Sequence, residues 1–225
     1  MQLSIFTGRK QNFSMQKVEN IILDYGNVIF MIDFMRLREA FIHLGIMNVD
    51  HVFAHAGQIS LFDDFDRGSI TPFQFRDGIR ELAGNLDLTD GEIDRAWNAL
   101  LVGVPAGKHE LLLRLKDRYR TFLLSNNNEI HYTSCMRHIR ETYGVDDNTD
   151  FFERTYYSHF MGMRKPDCEI FEVVLRENGL AAGETLFVDD SPQHLETAAK
   201  LGMQTALCTA DEPLEHIIDQ WGLLP

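Results

Sequence analysis

Four polar groups in this sequence each close a short apolar run. Asp24 follows Asn20-Ile21-Ile22-Leu23, Ser125-Asn126 follows Thr121-Phe122-Leu123-Leu124, and Asp189-Asp190 follows Thr185-Leu186-Phe187-Val188. Lys165 comes after Thr155-Tyr156-Tyr157, within Gly162-Met163-Arg164-Lys165-Pro166. Taken singly, each has an ordinary reading as a turn residue, a helix cap or a solvated surface group. Taken together, they supply three carboxylates, a hydroxyl and an ammonium at the ends of successive strands. Ligands collect in that place in an open parallel sheet. The chemistry that set suits is phosphoryl transfer, in which an anionic phosphate must be neutralised and an attacking oxygen held in line with the leaving group. Carboxylates offer the hard oxygen ligands that Mg²⁺ prefers, and a metal cancels the repulsion between Asp24 and a phosphate. Lys165 and Ser125 are candidates for the remaining phosphate oxygens.

The elements that must position these groups follow from pattern. From about residue 107 onward helical and strand-like segments alternate, ending with the run Gln204-Thr205-Ala206-Leu207-Cys208, which implies a parallel sheet covered on both faces. Residues 34–103 interrupt that order with helical patterns and no convincing strand. Phe34, Leu37, Phe41 and Leu44 share one helical face. Thr71-Pro72 with Gln74, and Thr89 with Glu92, give two capping boxes, followed by the stripes Phe75, Ile79, Leu82 and Ile93, Trp97, Leu100. The expected organisation is a tail over residues 1–17, a core of residues 18–33 and 104–225, and a helical bundle cap over 34–103, hinged near 33 and 103. Met15 is a candidate start.

Composition sets the partners. A formal net charge of -13 disfavours nucleic acid and anionic lipid, and an apolar content of 44% over 225 residues can supply a proper core. The stretch near the N-terminus lacks a signal-like apolar core, and no run approaches bilayer length. Cys135, Cys168 and Cys208 are odd in number and lack a CxxC pair, against a disulfide framework or structural zinc. A cytoplasmic protein acting on a small phosphorylated metabolite is expected, while oligomeric state is not readable. His51 and His55 have helical metal-pair spacing without a third ligand and read as exposed. Asp146-Asp147-Asn148-Thr149-Asp150 lacks the Glu of a calcium loop and reads as a turn.

With these residues in place, the sequence resembles the haloacid dehalogenase-like superfamily. Ile-Leu-Asp24-Tyr-Gly-Asn-Val, Leu-Leu-Ser125-Asn126, Arg-Lys165-Pro and Phe-Val-Asp189-Asp190-Ser are similar to its four ordered motifs, over about residues 20–208. The resemblance implies an α/β Rossmann-like core with an inserted helical cap and an aspartyl-phosphate on Asp24. It implies phosphate held by Ser125, Asn126 and Lys165, and Mg²⁺ bound by Asp24, the carbonyl of Gly26 and Asp190, with Asp189 directly or through water. The segment Asp66-Arg67-Gly68-Ser69-Ile70-Thr71 resembles the cap of bacterial members acting on sugar phosphates, including glucose-1-phosphate phosphatases, and makes Asp66 and Arg67 candidate specificity residues.

Two positions depart from the family pattern. Its usual second Asp, the general acid and base, is Gly26 here. Such catalysis is typically worth about 10²- to 10⁴-fold. Without it, cleavage should favour an anomeric or phenolic leaving oxygen over a primary alcohol. His194 stands where many relatives have Asn; it reads as a helix-surface histidine, with a proton donor as the alternative. Two rival functions are a 2-haloacid dehalogenase, which the Asp189-Asp190 pair disfavours by repelling a haloacid, and a non-catalytic phosphometabolite-binding protein, whose support is Gly26.

Overall fold

The computed structural model describes residues 17–47, Val49 and residues 60–225. Met15, most of the expected tail, and His51 and His55 lie outside the described residues. Strand β1 (Asn20–Leu23) is followed by β2 (Met31–Ile32), helices α1 (Phe34–His43), α2 (Leu61–Asp66), α3 (Pro72–Ala83) and α4 (Asp90–Trp97), and strand β3 (Leu101–Gly103). Helices and strands then alternate: α5 (Lys108–Lys116), β4 (Arg120–Ser125), α6 (Glu129–Tyr143), β5 (Arg154–Tyr157), the single turn α7 (Ser158–Met161), α8 (Cys168–Asn178), β6 (Thr185–Asp189), α9 (Pro192–Lys200), β7 (Gln204–Leu207) and α10 (Leu214–Gln220).

Five strands form one parallel sheet in the order β5-β4-β1-β6-β7. The chain builds outward from β1 through β4 to β5, then returns to β6 on the other side, so the strand order reverses beside β1. That reversal opens a crevice at the carboxyl ends of β1, β4 and β6. The register aligns the ends: Leu23 pairs with Leu123 on one side and Val188 on the other. Strand β1 is buried throughout because helices cover both faces. Ile21 and Leu23 pack with Leu112, Leu115, Ile139 and Ile217, while Ile22 packs on the opposite face with Ile170, Phe171, Val174 and Ala198. This is a Rossmann-like α/β fold.

Among the described residues, the four helices between β2 and β3 bury a cluster of their own, in which Phe62 stacks on Trp97 at 5.5 Å and Phe65 on Phe75 at 4.2 Å between ring centroids. Both capping boxes form: Thr71 and Thr89 each accept from the third residue of the helix, and Gln74 and Glu92 reach back. Phe34 departs from the expected stripe. At the first position of α1 it is 61% exposed, whereas Leu37 and Phe41 are buried. The antiparallel pairing of β2 with β3, Ile32 opposite Leu101, was not expected either. Two or three residues are too few to show an alternation in sequence. This ribbon carries the chain into and out of the helical insertion. Among the described residues no helix is long and apolar enough to cross a membrane.

Candidate active site

The sheet ladder extends one residue past β1, where the Asp24 N–H donates to the Val188 carbonyl at 2.9 Å, so Asp24 leaves the sheet with its position fixed. The turn that follows closes on itself: Ile29 and Phe30 N–H groups donate to the Tyr25 carbonyl at 2.9 and 2.8 Å. Asn27 sits in the left-handed region at φ 54, which Asn tolerates better than most residues. Its side chain donates to Asp190 Oδ2 at 2.9 Å and accepts from Ile32 N at 3.2 Å. Asn27 therefore ties the first turn to the last acidic group, a role that sequence reading did not assign.

Lys165 is brought in by Asn126. The Asn126 amide brackets the lysine main chain, accepting from Lys165 N at 2.9 Å and donating to Lys165 O at 2.8 Å. The lysine side chain is fully buried, and all three ammonium protons are used: Asp24 Oδ1 and Asp189 Oδ2 each at 2.6 Å, and the Leu124 carbonyl at 2.9 Å. The side-chain amide of Asn126, a residue expected to hold phosphate, is thus committed to Lys165. What remains for a ligand is its main chain.

Asp189 is equally engaged. Besides Lys165, its carboxylate accepts from Ser191 N at 2.8 Å and meets His194 Nδ1 at 2.9 Å. His194 is not a surface residue as expected; its side chain is 16% exposed and turned onto Asp189. Burial raises the Asp24 carboxyl to about 7, with Asp189 and Asp190 adding repulsion and the Lys165 charge opposing it. Burial would lower Lys165, but Asp24 and Asp189 carry it above its ordinary value. Burial would raise Asp189, yet Lys165 and His194 hold it low. One ammonium thus spans two carboxylates.

Oxygens of Asp24, Asp189 and Asp190 all lie within 4.8 Å of one another, a set of hard donors that fits a magnesium ion. Beside them, under the β2–β3 ribbon, is a cavity of about 80 Å³ lined among others by Gly26, Ile32, Leu101, Ser125, Asn126 and His131. Ser125 is buried there. Gly26 carries no steric demand for glycine: an added Cβ would meet Ile32 Cδ1 at 3.4 Å, an ordinary contact.

Asp66 and Arg67 lie at the seam between the insertion and the sheet, and neither lines this cavity. Asp66 Oδ1 accepts from Asn128 Nδ2 at 3.1 Å and its Oδ2 faces Arg164 at 3.7 Å; Arg67 pairs with Asp63 at 2.9 Å and Asp167 at 2.8 Å. In this arrangement both are engaged by protein partners, and burial raises the Asp66 carboxyl against the pull of Arg164. Arg164, which also pairs with Asp63, was missed, because its partner is 101 residues away in sequence.

Residues 96–208 match the model of the haloacid dehalogenase-like hydrolase family. The chain is 30% identical over 188 residues to a D-ribitol-5-phosphate phosphatase of Bacteroides thetaiotaomicron, covering 84% of this chain and 90% of that one. A haloacid dehalogenase-family enzyme from the same organism, solved in complex with magnesium and inorganic phosphate, superposes with a TM-score of 0.80 at 38% identity, covering 89% of this chain and 98% of the other. A predicted family hydrolase from Porphyromonas gingivalis gives 0.83 at 27% identity, over 93% and 100% of the two chains. With the sheet order, the four strand-end groups and these relatives in agreement, the chain belongs to the haloacid dehalogenase-like hydrolase family.

Proposed function

We propose that this chain is a Mg²⁺-dependent phosphomonoester hydrolase acting on a small phosphorylated polyol or sugar, with Asp24 as nucleophile. The observation that carries the reading is the Lys165 ammonium at 2.6 Å from both Asp24 and Asp189, with Asp190 in the same oxygen cluster. A carboxylate so placed is held for attack and kept from repelling an incoming phosphate. The substrate class rests on the relative named for D-ribitol 5-phosphate.

In the first step Asp24 attacks phosphorus, the bond to the leaving oxygen breaks, and an aspartyl-phosphate forms. Ser125 Oγ and the main-chain N–H groups of the Ser125–Asn126 loop would receive the phosphate oxygens, and Lys165 would meet one by turning its Asp24 contact over to the incoming phosphate. Asp24, Asp190 and the Gly26 carbonyl would hold Mg²⁺, which would supply charge neutralisation. Asp189, with its oxygens given to Lys165, Ser191 and His194, would reach the metal through water. With no carboxyl at position 26, the leaving oxygen takes its proton from solvent. Water then attacks phosphorus, frees phosphate and regenerates Asp24. Residues 34–103 would act as a cap over the crevice.

Phosphate release should be measured from D-ribitol 5-phosphate, glucose 1-phosphate, glucose 6-phosphate and p-nitrophenyl phosphate, with Mg²⁺ or EDTA, for the native chain and Asp24→Asn. Release that needs the metal and is lost in Asp24→Asn is expected; no release from any of the four would overturn the reading.

A further inference from the structure

One buried amide joins the helical insertion to the loop that carries Ser125 and Asn126. Asn128 is 1% exposed, and its side chain is saturated. Oδ1 accepts from Trp97 Nε1 and from His131 N, both at 3.1 Å; Nδ2 donates to Asp66 Oδ1 and to His131 Nδ1, both at 3.1 Å. An asparagine has two donors and two acceptor sites, and all four are filled. Trp97 and Asp66 belong to the insertion, from α4 and α2, and His131 to α6 of the core.

The surrounding contacts make the junction stiff. The Trp97 indole stacks on the His131 ring at 4.6 Å and 10°, and His131 Nε2 meets the Trp97 carbonyl at 3.0 Å. Burial lowers His131 to about 4, so the ring is neutral: Nε2–H donates to Trp97 and Nδ1 accepts from Asn128. One residue back, Asn127 N donates to Ser158 Oγ at 2.8 Å, and that hydroxyl lies 2.5 Å from the Asp66 carbonyl. Gly68 presses on the core closely enough that an added Cβ would lie 2.3 Å from the His159 carbonyl oxygen.

We propose that Asn128 is a positioning residue that couples the seating of the helical insertion to the geometry of the Ser125–Asn127 loop. With the insertion seated, every polar atom of Asn128 is satisfied and the loop before it is braced. With the insertion lifted, Asp66 and Trp97 withdraw, leaving one donor and one acceptor of a buried amide to be satisfied by water, and the loop loses its brace. Phosphate binding and insertion closure then become two readouts of one equilibrium. The inference rests on the phosphatase reading for its kinetic arm only.

The test exchanges the two partners. Asn128→Asp keeps the acceptor for Trp97 and the helix cap but sets a carboxylate against Asp66; Asp66→Asn keeps an acceptor and adds a donor. Kinetics with p-nitrophenyl phosphate and Mg²⁺, and Trp97 emission in a Trp221→Phe background, are recorded for each single variant and for the pair. Asn128→Asp alone should lower kcat about tenfold with a smaller change in KM and shift Trp97 emission to the red; adding Asp66→Asn should recover about threefold of the kcat and part of the emission shift, the donor given to His131 Nδ1 staying lost in both. A loss that Asp66→Asn does not relieve, or unmoved Trp97 emission, overturns the proposal. If the native chain hydrolyses nothing, the phosphatase reading fails by itself. Inorganic phosphate with Mg²⁺ then decides the coupling, by shifting Trp97 emission in the Trp221→Phe chain and not after Asn128→Asp.

Discussion

Two clusters of acids and bases lie a few residues apart in this fold and obey different physics. At the strand ends, Lys165 is fully buried between Asp24 and Asp189, whose side chains are 10% and 0% exposed. At the seam, Arg67 and Arg164 pair with Asp63, Asp66 and Asp167 at side-chain exposures of 22% to 47%. Both clusters set basic side chains against aspartates, a lysine in the first and arginines in the second. In the first cluster each charge has given up its water, so the members depend on one another, and removing one leaves the others buried and uncompensated. In the second, water screens the pairs of Arg67, and a partner lost there is replaced by solvent, while burial raises Asp66. The first arrangement suits a nucleophile that must be aimed, the second a surface that must part and close.

The largest effect should come from breaking the buried cluster. Lys165→Met is expected to cut kcat by about 10³-fold or more, as loss of an oriented phosphate-binding charge does, and to cost about 3–5 kcal/mol of stability at neutral pH. The pH dependence identifies the cause. Without the ammonium, both carboxyls have folded-state pKa values above their unfolded ones. The folded state then holds more protons, so stability is regained as pH falls towards the ordinary carboxyl range. The gap in urea midpoint between the native chain and the variant, measured from pH 8 to 5 without metal, should narrow on acidification, where a purely packing defect would leave the gap constant.

Adding a carboxyl to the same cluster sharpens the comparison from the other side. Gly26→Asp has room for its Cβ, which would meet Ile32 Cδ1 at 3.4 Å and Asp24 Oδ2 at 3.9 Å. It should supply the missing proton donor and raise turnover of glucose 6-phosphate, a primary-alcohol ester, about tenfold or more relative to glucose 1-phosphate. An unchanged ratio of the two rates would mean that the leaving group is protonated by a group other than solvent.

How much of this could be read before the structure follows from where each residue's partners lie. Asp24, Ser125, Lys165 and Asp189-Asp190 were legible because each follows an apolar run, and strand ends in a parallel sheet converge whatever the side-chain detail. The capping boxes at Thr71 and Thr89 are local and were legible for the same reason. Asn27 was not, because its partner Asp190 is 163 residues away and its turn depends on a positive φ that sequence does not display. Nor was the inward turn of His194, or the commitment of Asn126 to the Lys165 main chain, because both are settled by tertiary packing. Asp66 and Arg67 were singled out by motif likeness, which located the segment and not its neighbours.

His109 shows what burial without a partner does, between the two extremes. It is 2% exposed, neither ring nitrogen has a hydrogen-bond partner, and it stacks on Phe151 at 4.2 Å with Tyr143 edge-on at 3.8 Å. Burial lowers it to about 4 from 6.5. Between those values the unfolded chain binds a proton that the native chain refuses, so stability falls as pH drops through the window, by up to about 1.4 kcal/mol per pH unit for this group. His131 and His159, also lowered to about 4, add slopes of the same sign. His109→Phe should keep the ring contacts and remove its share, giving a shallower fall in urea midpoint between pH 6.5 and 5 with little change at pH 8.

The smallest effect belongs to the seam. Arg67→Ala removes two ion pairs, to Asp63 and Asp167, yet Asp63 keeps Arg164 and Asp167 is half exposed to water. The expected cost is under about 1 kcal/mol, and it should shrink further in high salt, where surface pairs are screened. Urea midpoints of the native chain and the variant, compared at low and high ionic strength, check this. A cost near that of Lys165→Met would mean that the seam is as dry as the strand ends, and that the helical insertion parts from the sheet far less readily than its exposed ion pairs imply.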